Sequence, residues 1–361
     1  MRLQITSRRL AGLAVVALAA IVPAPAFAHG RGGSVYTESN AAANTVQAFD
    51  QARDGTLTPG DSYLTGGAGS GATGLGSQGA LAIDDDWLLA VNAASNDVSA
   101  FRIHHGRLVL MNRVPSGGIT PNSVTIHDGI AYVLNAGGSG SISGFTLTRH
   151  GLSPLAGSTQ ALSSATAGAV QVSFTPRGDQ LVVSEKGANT IETFPIDRSG
   201  RASAGTAHPS AGAAPFGFSF GRHEALNVTE AAASALSSYS LTPFAPITAS
   251  LLNGQGAACW AVSTSSGRYT FTADAATDAI SAYAQEADGT LSLVTPGGAT
   301  AQLAKGTHPL DEAISRDRYL YVNGGNSGQI TAFRIGSNGS LTPLGAVGAL
   351  PAGFGGLVVS S

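Results

Sequence analysis

Residues 132–147 read YVLNAGGSGSISGFTL, and this stretch decides the fold. An apolar run ends in Asn135, a glycine-rich link follows, and a second run passes through Ile142 to the aromatic Phe145. Short apolar runs bounded by Gly, Asn or Asp are typical of β-strands joined by tight turns. No segment beyond residue 28 keeps a 3.6-residue apolar period, so the sequence predicts an all-β fold.

The same unit recurs along the whole chain, often followed by a turn such as DGTLTP or NGSLTP. The aromatic residue of the unit is, in order, Phe49, Phe101, Phe145, Phe194, Tyr239, Tyr283 and Phe333. These aromatics are separated by 52, 44, 49, 45, 44 and 50 residues, a mean of about 47. Such a period is typical of one propeller blade, so seven units predict seven blades.

A further strand precedes six of the seven units. These strands are GALAID, NSVTIH, VQVSFTPRG, FGFSFG, WAVSTSSG and DEAISRD. The first unit lacks one, but AGFGGLVVS at residues 352–360 has the same character. We therefore expect the C-terminal strand to join the N-terminal blade as its inner strand, which closes the ring and removes a free sheet edge. The prediction is a single domain, a seven-bladed β-propeller over residues 29–361.

The first 28 residues have the features of a signal peptide. Arg2, Arg8 and Arg9 form a basic segment, residues 10–22 are largely apolar, and Ala26-Phe27-Ala28 is a typical cleavage signal. No later stretch has the roughly 18 uninterrupted apolar residues of a membrane span. We therefore expect a mature chain that starts at His29 and is secreted or periplasmic, by general or twin-arginine export.

The net charge narrows the range of partners, and the cysteine content indicates how the chain is stabilised. Without residues 1–28, the chain has 16 basic and 22 acidic residues, a net charge near −6. This charge disfavours nucleic acids and anionic membranes as partners. The single cysteine, Cys259, cannot form an internal disulfide, so stability must come from the core. We expect a monomer with no membrane span, and a small molecule or an extracellular protein as its partner.

The repeat resembles that of the seven-bladed propeller lactonase family. The resemblance is carried by the units at residues 132–147 and 321–343, by the run SFTPRGDQLVVSEKGANTIETF and by the DGTLTP and NGSLTP turns. That family includes cytosolic 6-phosphogluconolactonase and carboxymuconate-cyclising enzymes, and it grades into YVTN-repeat propellers. The resemblance covers essentially the whole mature chain. It implies the propeller fold and hydrolysis of a lactone.

The site residues of the family are only partly kept in this chain. A GPRH run often precedes the fourth inner strand of the family, PH the third, and NE closes a second strand. The matching positions here are GAVQ at residues 168–171, Pro121-Asn122 and Ser184-Glu185. The glutamate remains, whereas the arginine that would hold an anion and the histidines that would move protons are replaced.

Three acids occupy equivalent positions just after second strands: Glu38, Glu185 and Glu230. Glu185 and Glu230 belong to adjacent blades, and if their side chains meet at the central funnel, mutual repulsion raises one pKa and creates a general base. We therefore predict these two as catalytic residues. The alternative is that all three are rim carboxylates that are solvated or bonded to backbone.

Other residues near the same face are candidates for binding a ligand. Asn122, Gln171 and Asp311 would orient a substrate, while aromatic side chains would shape the funnel. Cys259 has no histidine nearby in sequence to activate it, so a small buried residue is the alternative. The predicted ligand-binding set is Glu38, Asn122, Gln171, Phe216, Cys259, Trp260 and Asp311.

No metal or cofactor is expected from the sequence. Asp311 and Glu312 lie near His308, but one histidine with scattered acids lacks a recognisable metal-ligand spacing. The run GSGATG at residues 69–74 fits the pattern of a dinucleotide-binding turn. Because another strand follows it in place of a helix, we interpret it as a lid or wall of the central pocket.

Two functional hypotheses follow from these observations. The first is an exported lactonase-like enzyme that hydrolyses a small sugar or organic-acid lactone, with Glu185 as base assisted by Glu230. The second is a non-catalytic propeller whose funnel binds a small ligand or an extracellular protein. The family resemblance favours the first, and the replaced arginine and histidines favour the second.

Overall fold

The computed structural model describes residues 31–72 and 74–360. These residues form thirty β-strands and one short 3-10 helix, Arg222–Glu224. The strands assemble into seven antiparallel sheets of four or five strands each, which confirms the predicted seven-bladed β-propeller. The signal peptide predicted over residues 1–28 lies outside the described residues. No helix in the described part of the chain is long and apolar enough to cross a membrane.

Each sheet is one blade, with its strands ordered from the innermost, next to the propeller axis, to the outermost. Blade 1 contains β30 (Gly355–Ser360), β1 (Arg31–Glu38), β2 (Thr45–Ala52) and β3 (Leu57–Leu64). Blade 2 contains β4 (Leu81–Asp84), β5 (Trp87–Asn92), β6 (Asp97–His104) and β7 (Arg107–Pro115). Blade 3 contains β8 (Pro121–His127), β9 (Ile130–Asn135), β10 (Ser141–Thr148) and β11 (Gly151–Pro154), with β12 (Gln160–Ala161) also paired to β10.

The other four blades follow the same order. Blade 4 contains β13 (Ala169–Phe174), β14 (Gln180–Glu185), β15 (Thr190–Pro195) and β16 (Thr206–Pro209), and blade 5 contains β17 (Pro215–Phe220), β18 (Leu226–Glu230), β19 (Ala235–Leu241) and β20 (Phe244–Leu252). Blade 6 contains β21 (Ala258–Ser263), β22 (Tyr269–Asp274), β23 (Ala279–Gln285) and β24 (Leu291–Leu293), with β25 (Ala299–Gln302) also paired to β23. Blade 7 contains β26 (Pro309–Ser315), β27 (Tyr319–Gly324), β28 (Gln329–Ile335) and β29 (Leu341–Val347).

Burial follows from the position of a strand within its blade. All six residues of the second strand β5 are buried, because neighbouring blades cover both of its faces. In contrast, six of the eight residues of the outermost strand β3 are exposed. The seven repeat aromatics predicted from the sequence are each at most 2% exposed. They therefore form the packing between blades, which is why the repeat is visible in the sequence.

The ring is closed by strand pairing between the two ends of the chain. Strand β30 pairs antiparallel with β1, with Val35 opposite Val359. The Thr37 hydroxyl donates to the carbonyl oxygen of Gly356 at 2.7 Å, and Leu357 packs in one apolar cluster with Val35. The predicted closure by the C-terminal strand is thus confirmed. We call the face where inner strands begin and second strands end the upper face, and the opposite face the lower face.

A buried polar residue ends the second strand in blades 1 to 6, and in several of them its side chain is bonded to the third strand of the same sheet. The Asn92 amide donates to the Ser99 hydroxyl at 2.8 Å, and the Ser281 hydroxyl donates to the Asp274 carboxylate at 2.6 Å. These bonds join the second strand to the third at the upper face. In blades 1 to 6 the position is held by Glu38, Asn92, Asn135, Glu185, Glu230 and Asp274.

Burial favours the protonated form of several carboxyl groups in these blades. Burial raises the pKa of Asp274 to about 7. In blade 4 the third-strand partner is Glu192, and burial, together with a hydrogen bond to Glu185 and its charge, raises the pKa of Glu192 to about 8. Burial likewise holds the pKa values of Glu38 and Glu312 well above their ordinary range. The folded chain therefore keeps protons that the unfolded chain releases near pH 4.

We expect the protein to be more stable at pH 5 than at pH 9. Carboxyl groups whose pKa is raised on folding stabilise the fold most at low pH, and that contribution is lost as the pH rises through about 7 to 8. Each pKa unit corresponds to about 1.4 kcal/mol, so the melting temperature should fall by about 5 °C or more. Calorimetry between pH 5 and pH 9 measures this; a flat or rising profile contradicts it.

Asp274→Asn provides the matched test of the same prediction. It introduces the residue that blades 2 and 3 already carry at this position, Asn92 and Asn135, and it removes the titrating proton. The melting temperature of this variant should depend less on pH than that of the wild type. Asp128→Asn serves as the control because the side chain of Asp128 is 92% exposed, and it should leave the profile unchanged.

Leu357→Ala should destabilise the propeller through the closing strand. Leu357 is 6% exposed, and a buried Leu→Ala substitution costs about 2 to 5 kcal/mol. Leu252→Ala is the matched control, since Leu252 is 61% exposed and its loss should cost less than about 0.5 kcal/mol. Urea midpoints measure both variants. Equal midpoints would show that the closing strand contributes no core packing.

Candidate functional site

The loop from β3 to β4 crosses the propeller axis at the upper face. Although Gln78 precedes the inner strand of blade 2, its side-chain amide donates to the carbonyl oxygen of Ala261 in blade 6 at 2.7 Å. The backbone N–H of Ala261 donates back to the Gln78 side chain at 3.0 Å, and the Gln78 N–H donates to Val170 of blade 4. Gln78 therefore occupies the central channel.

Gly69, the first glycine of GSGATG, allows this loop to pack closely over blade 1. A Cβ atom on Gly69 would lie 2.2 Å from the backbone carbonyl carbon of Asn40, and a Cβ atom on Gly353 would lie 2.2 Å from the carbonyl oxygen of Gly71. The Gly71 N–H donates to the carbonyl oxygen of Asn40 at 2.8 Å. The next element is the strand β4, and no helix opens after the described glycines. Gly69 therefore serves close packing of the loop, whereas Gly71 and Gly74 supply left-handed backbone at φ 84° and 68°.

This loop forms one wall of a cavity of about 230 Å³ at the upper face, between blades 6, 7 and 1. We call it the upper cavity. Its described lining consists of residues 72, 74–77, 353–356, Trp260, His308, Leu310, Asp311, Gly325 and Asn326. Of the predicted site residues, Trp260 and Asp311 line this cavity.

Asp311 provides the acidic group of the upper cavity. It lies on the inner strand β26, is 5% exposed, and accepts a hydrogen bond from the N–H of Gly356 at 3.0 Å. Burial raises its pKa to about 7, although backbone N–H groups of Gly356 and Gly79 lower it in part. The fully buried Glu38 lies close enough for the charge of Asp311 to raise its pKa further. A carboxyl group with a pKa near neutrality can both accept and donate a proton at physiological pH.

His308 stands at the rim of the cavity with a defined tautomer. Its Nδ1 lies 3.0 Å from the carbonyl oxygen of Ala275, so Nδ1 carries a proton, and in the neutral ring Nε2 is left as an acceptor. The backbone N–H of His308 donates to the Asp278 carboxylate at 2.7 Å. The backbone of His308 is in the left-handed region, at φ 53°. The turn thus presents the ring at the mouth of the cavity that holds Asp311.

Aromatic packing fixes the cavity wall on the side of blade 6. The indole N–H of Trp260 donates to the carbonyl oxygen of Ser77 at 2.9 Å, which ties the loop to the inner strand. The Phe216 ring meets that of Trp260 edge to face at 5.1 Å. The neighbouring Cys259 is a poor nucleophile, because burial raises the pKa of its thiol to about 12.

Gln171 and Asn122 lie outside the described cavity lining and contact backbone. The Gln171 side chain accepts from the N–H of Phe218 at 2.7 Å and donates to its carbonyl oxygen at 3.0 Å. The Asn122 amide donates to the carbonyl oxygen of Ala169 at 3.0 Å. Both side chains therefore tie the inner strands of neighbouring blades together, and their ligand-binding role stays a prediction.

Glu185 and Glu230 are both fully buried, and each accepts hydrogen bonds from nearby serines. Glu185 accepts from the Ser163 hydroxyl at 2.5 Å and interacts with Glu192. Glu230 accepts from the hydroxyls of Ser237 and Ser250, each at 2.5 Å. Neither carboxylate belongs to the described lining of the upper cavity, so the two are not brought together there.

Sequence reasoning missed Glu192 and Gln78. Glu192 stands on the third strand at the position that Ser99, Ser237 and Ser281 hold in other blades, and aligning the repeats would have shown it as the exception. Gln78 lies in a loop outside the repeat, and no sequence signal indicated where its side chain ends. Among the described residues, no group of three or more His, Cys, Asp or Glu is placed to hold a metal ion.

Comparison with known proteins places the fold. No protein-family model matches the sequence, and no curated protein matches it either. Solved structures do match. A proposed 6-phosphogluconolactonase from Bacteroides fragilis is 19% identical, with a TM-score of 0.72 over 91% of this chain and 98% of that one. A similar protein from Bacteroides uniformis is 18% identical, with a TM-score of 0.73 over 90% and 98% of the two chains.

A third structure, the periplasmic gluconolactonase of Pseudomonas aeruginosa, is 16% identical, with a TM-score of 0.71 over 91% of this chain and 99% of that one. The three matches cover nearly all of every chain compared, so the likeness extends to the complete ring of blades. The resemblance to the lactonase propellers is confirmed at the level of the fold: this chain is a seven-bladed β-propeller of the architecture shared by those proteins.

Proposed function

We propose that this protein is an exported lactonase-like hydrolase that opens a small lactone in the upper cavity. The observation that carries the proposal is Asp311, a buried carboxyl group with a pKa of about 7 that lines a cavity of about 230 Å³. The fold shared with proposed 6-phosphogluconolactonases and a periplasmic gluconolactonase supports it. A pocket that joins one near-neutral acid to a histidine at the rim meets the needs of acyl hydrolysis.

In the reaction, ionised Asp311 takes a proton from a water molecule, and the oxygen of that water attacks the lactone carbonyl carbon. The ring C–O bond then breaks, and the ring oxygen takes up the proton that Asp311 holds. The product is the open hydroxy acid, and Asp311 is again ionised. His308, with Nε2 as a hydrogen-bond acceptor, is positioned to orient the water or a substrate hydroxyl at the rim.

The cavity favours a small, uncharged lactone. Its volume of about 230 Å³ lies below the roughly 300 to 1,000 Å³ of pockets that hold drug-sized ligands. The residues described as lining it include no lysine or arginine. The ionised Asp311 would therefore repel an anionic substrate, with no cation in the lining to offset the repulsion. Lys186 reaches the loop, but its ammonium group lies 3.4 Å from the carbonyl oxygen of Gly76 and 4.9 Å from the Phe216 ring centre.

The second candidate is a propeller that binds a small ligand or an extracellular protein without catalysis. It is favoured by two features, the side chain of Gln78 within the central channel and the buried, bonded state of Glu185 and Glu230. Catalysis by Glu185 and Glu230 stays a prediction that competes with Asp311. A comparison of variants distinguishes the three possibilities.

Asp311→Asn should lower the hydrolysis rate of glucono-1,5-lactone by about 100-fold or more, since loss of a general base costs about 10² to 10⁴. The wild-type rate should rise with pH through about 7, as Asp311 ionises. Titration of released acid at constant pH, corrected for spontaneous hydrolysis, measures both. Asp128→Asn is the matched control, and the melting temperature of each variant verifies folding.

Glu185→Gln, measured beside Asp311→Asn, decides between the two candidate bases. If only the Glu185 variant loses activity, the prediction from the sequence is correct and the role of Asp311 is wrong. If no variant differs from the wild type, or the wild type equals the spontaneous rate with neutral lactones, the catalytic proposal fails and the binding propeller remains.

Export is tested on the full-length chain expressed in a bacterial host with its N-terminal segment intact. The protein recovered from the periplasm or medium should begin at His29, because cleavage is expected after Ala26-Phe27-Ala28. Mass spectrometry of the intact protein measures the start point. A full-length product confined to the cytoplasm contradicts export.

A further inference from the structure

The lower face carries a second cavity, of about 340 Å³, far from the site described above. We call it the lower-face pocket. It lies where turns of blades 4, 5 and 6 meet, at the end opposite the upper cavity. Its lining consists of Arg177, Arg222, His223, Glu224, Ala225, Ser240, Leu241, Thr242, Ile247, Ala287, Asp288 and Gly289. None of these residues takes part in the proposed lactone hydrolysis.

The turn that forms one wall has a strained backbone. His223 and Glu224 are consecutive non-glycine residues in the left-handed region, at φ 52° and 63°. The corresponding turns lie between Phe174 and Leu181 in blade 4 and between Ser263 and Thr270 in blade 6, and each has a left-handed glycine, Gly178 or Gly267. The turn of blade 5, between Phe220 and Leu226, is one residue shorter and has no left-handed glycine. The shorter turn of blade 5 therefore places non-glycine side chains in left-handed backbone, whereas the longer turns of blades 4 and 6 place a glycine there. Strain of this kind persists where the side chains serve a site.

Buried amides hold this turn against the facing wall. The Gln285 side chain is 2% exposed, accepts from the N–H of Arg222 at 2.9 Å and donates to the carbonyl oxygen of Gly289 at 3.2 Å. Its amide also donates to the side chain of the fully buried Asn227 at 3.0 Å. Two walls of the pocket are thus fixed to one buried polar pair, so the pocket is preorganised.

Two arginines and two carboxylates line the pocket, and the arginines differ in their partners. Arg177 lies 3.3 Å from the carboxylates of both Asp179 and Glu224, and Asp288 accepts from the N–H of Thr290 at 3.0 Å. The guanidinium of Arg222 forms no ion pair with a carboxylate in the described part of the chain. Arg222 can therefore present a planar, bidentate donor to an incoming anion.

One part of the pocket wall is apolar. Ala225, Leu241, Ile247 and Ala287 contribute hydrocarbon surface, and Ile247 is among the few large apolar residues that are exposed, at 37%. An exposed apolar surface beside an unpaired arginine matches a ligand with an apolar body and one anionic group. An inorganic anion alone would leave the apolar wall in contact with water.

We propose that the lower-face pocket binds a small organic carboxylate, with its carboxylate group on Arg222 and its apolar body against Leu241 and Ile247. This inference is independent of the lactonase proposal. A pocket on the lower face also lies outside the path of substrate to the upper cavity, so both sites can be occupied together.

Benzoate is the probe for this proposal, with benzyl alcohol as its uncharged counterpart and inorganic phosphate as an anion without an apolar body. Ligand-observed NMR titration of the mature protein should show binding of benzoate, with the other two at least about tenfold weaker. Arg222→Gln should lower the affinity for benzoate by at least about tenfold. Arg268→Gln is the matched control, because Arg268 lies in the sister turn of blade 6 over the Tyr269 ring and should have no effect.

The outcomes separate this site from the upper cavity. Asp311→Asn should leave benzoate binding unchanged, whatever it does to lactone hydrolysis. The proposal is overturned if benzoate does not bind, if Arg222→Gln binds it as the wild type does, or if benzyl alcohol or phosphate binds equally well. Loss of binding in Asp311→Asn, with Arg222→Gln unaffected, would assign benzoate to the upper cavity. Melting temperatures verify that each variant is folded.

Discussion

The hydrogen-bonded pairing of β30 with β1 is the constraint on which the rest of the structure depends. A ring of blades has no core at its centre, and each sheet is stabilised by packing against its two neighbours. An open ring would leave two blades with an uncovered face and a free edge. The same strand also builds the site: Gly356 of β30 binds the Asp311 carboxylate, and residues 353–356 line the upper cavity. The upper cavity is therefore complete only when the C-terminal strand has closed the ring.

The polar ends of the second strands are a second recurring feature, and they show how one structural role admits different chemistry. Asn92 performs this role as an amide and Asp274 as a carboxyl group whose pKa is raised to about 7 by burial. Because both bind a serine of the next strand, an acid at this position need not be a catalytic group. The upper cavity is different, since Asp311 lies on an inner strand and borders open space.

The fold followed from the sequence because it depends on repetition. The buried aromatics such as Phe145 and Tyr283 recur at the blade period, and the strand at residues 352–360 fills the one missing place, so seven blades and their closure were predictable. Much of the site was not predictable, because it lies in segments that do not repeat. The path of Gln78 across the axis depends on packing between distant blades. Glu185 and Glu230 were singled out by position, but repeat position indicates a shared local environment more than access to a pocket.

The two ends of the described chain lie side by side at the lower face. Strand β1 begins there and β30 ends there, with Ser34 opposite Ser360. Any tether, fusion partner or solid support attached at either end consequently holds the propeller by its lower face and leaves the mouth of the upper cavity turned toward the medium. The same attachment brings the Arg222 pocket close to the surface that carries the protein. In a fused or immobilised form, the upper cavity would thus be open to bulk solution, and the lower-face pocket would face the anchor.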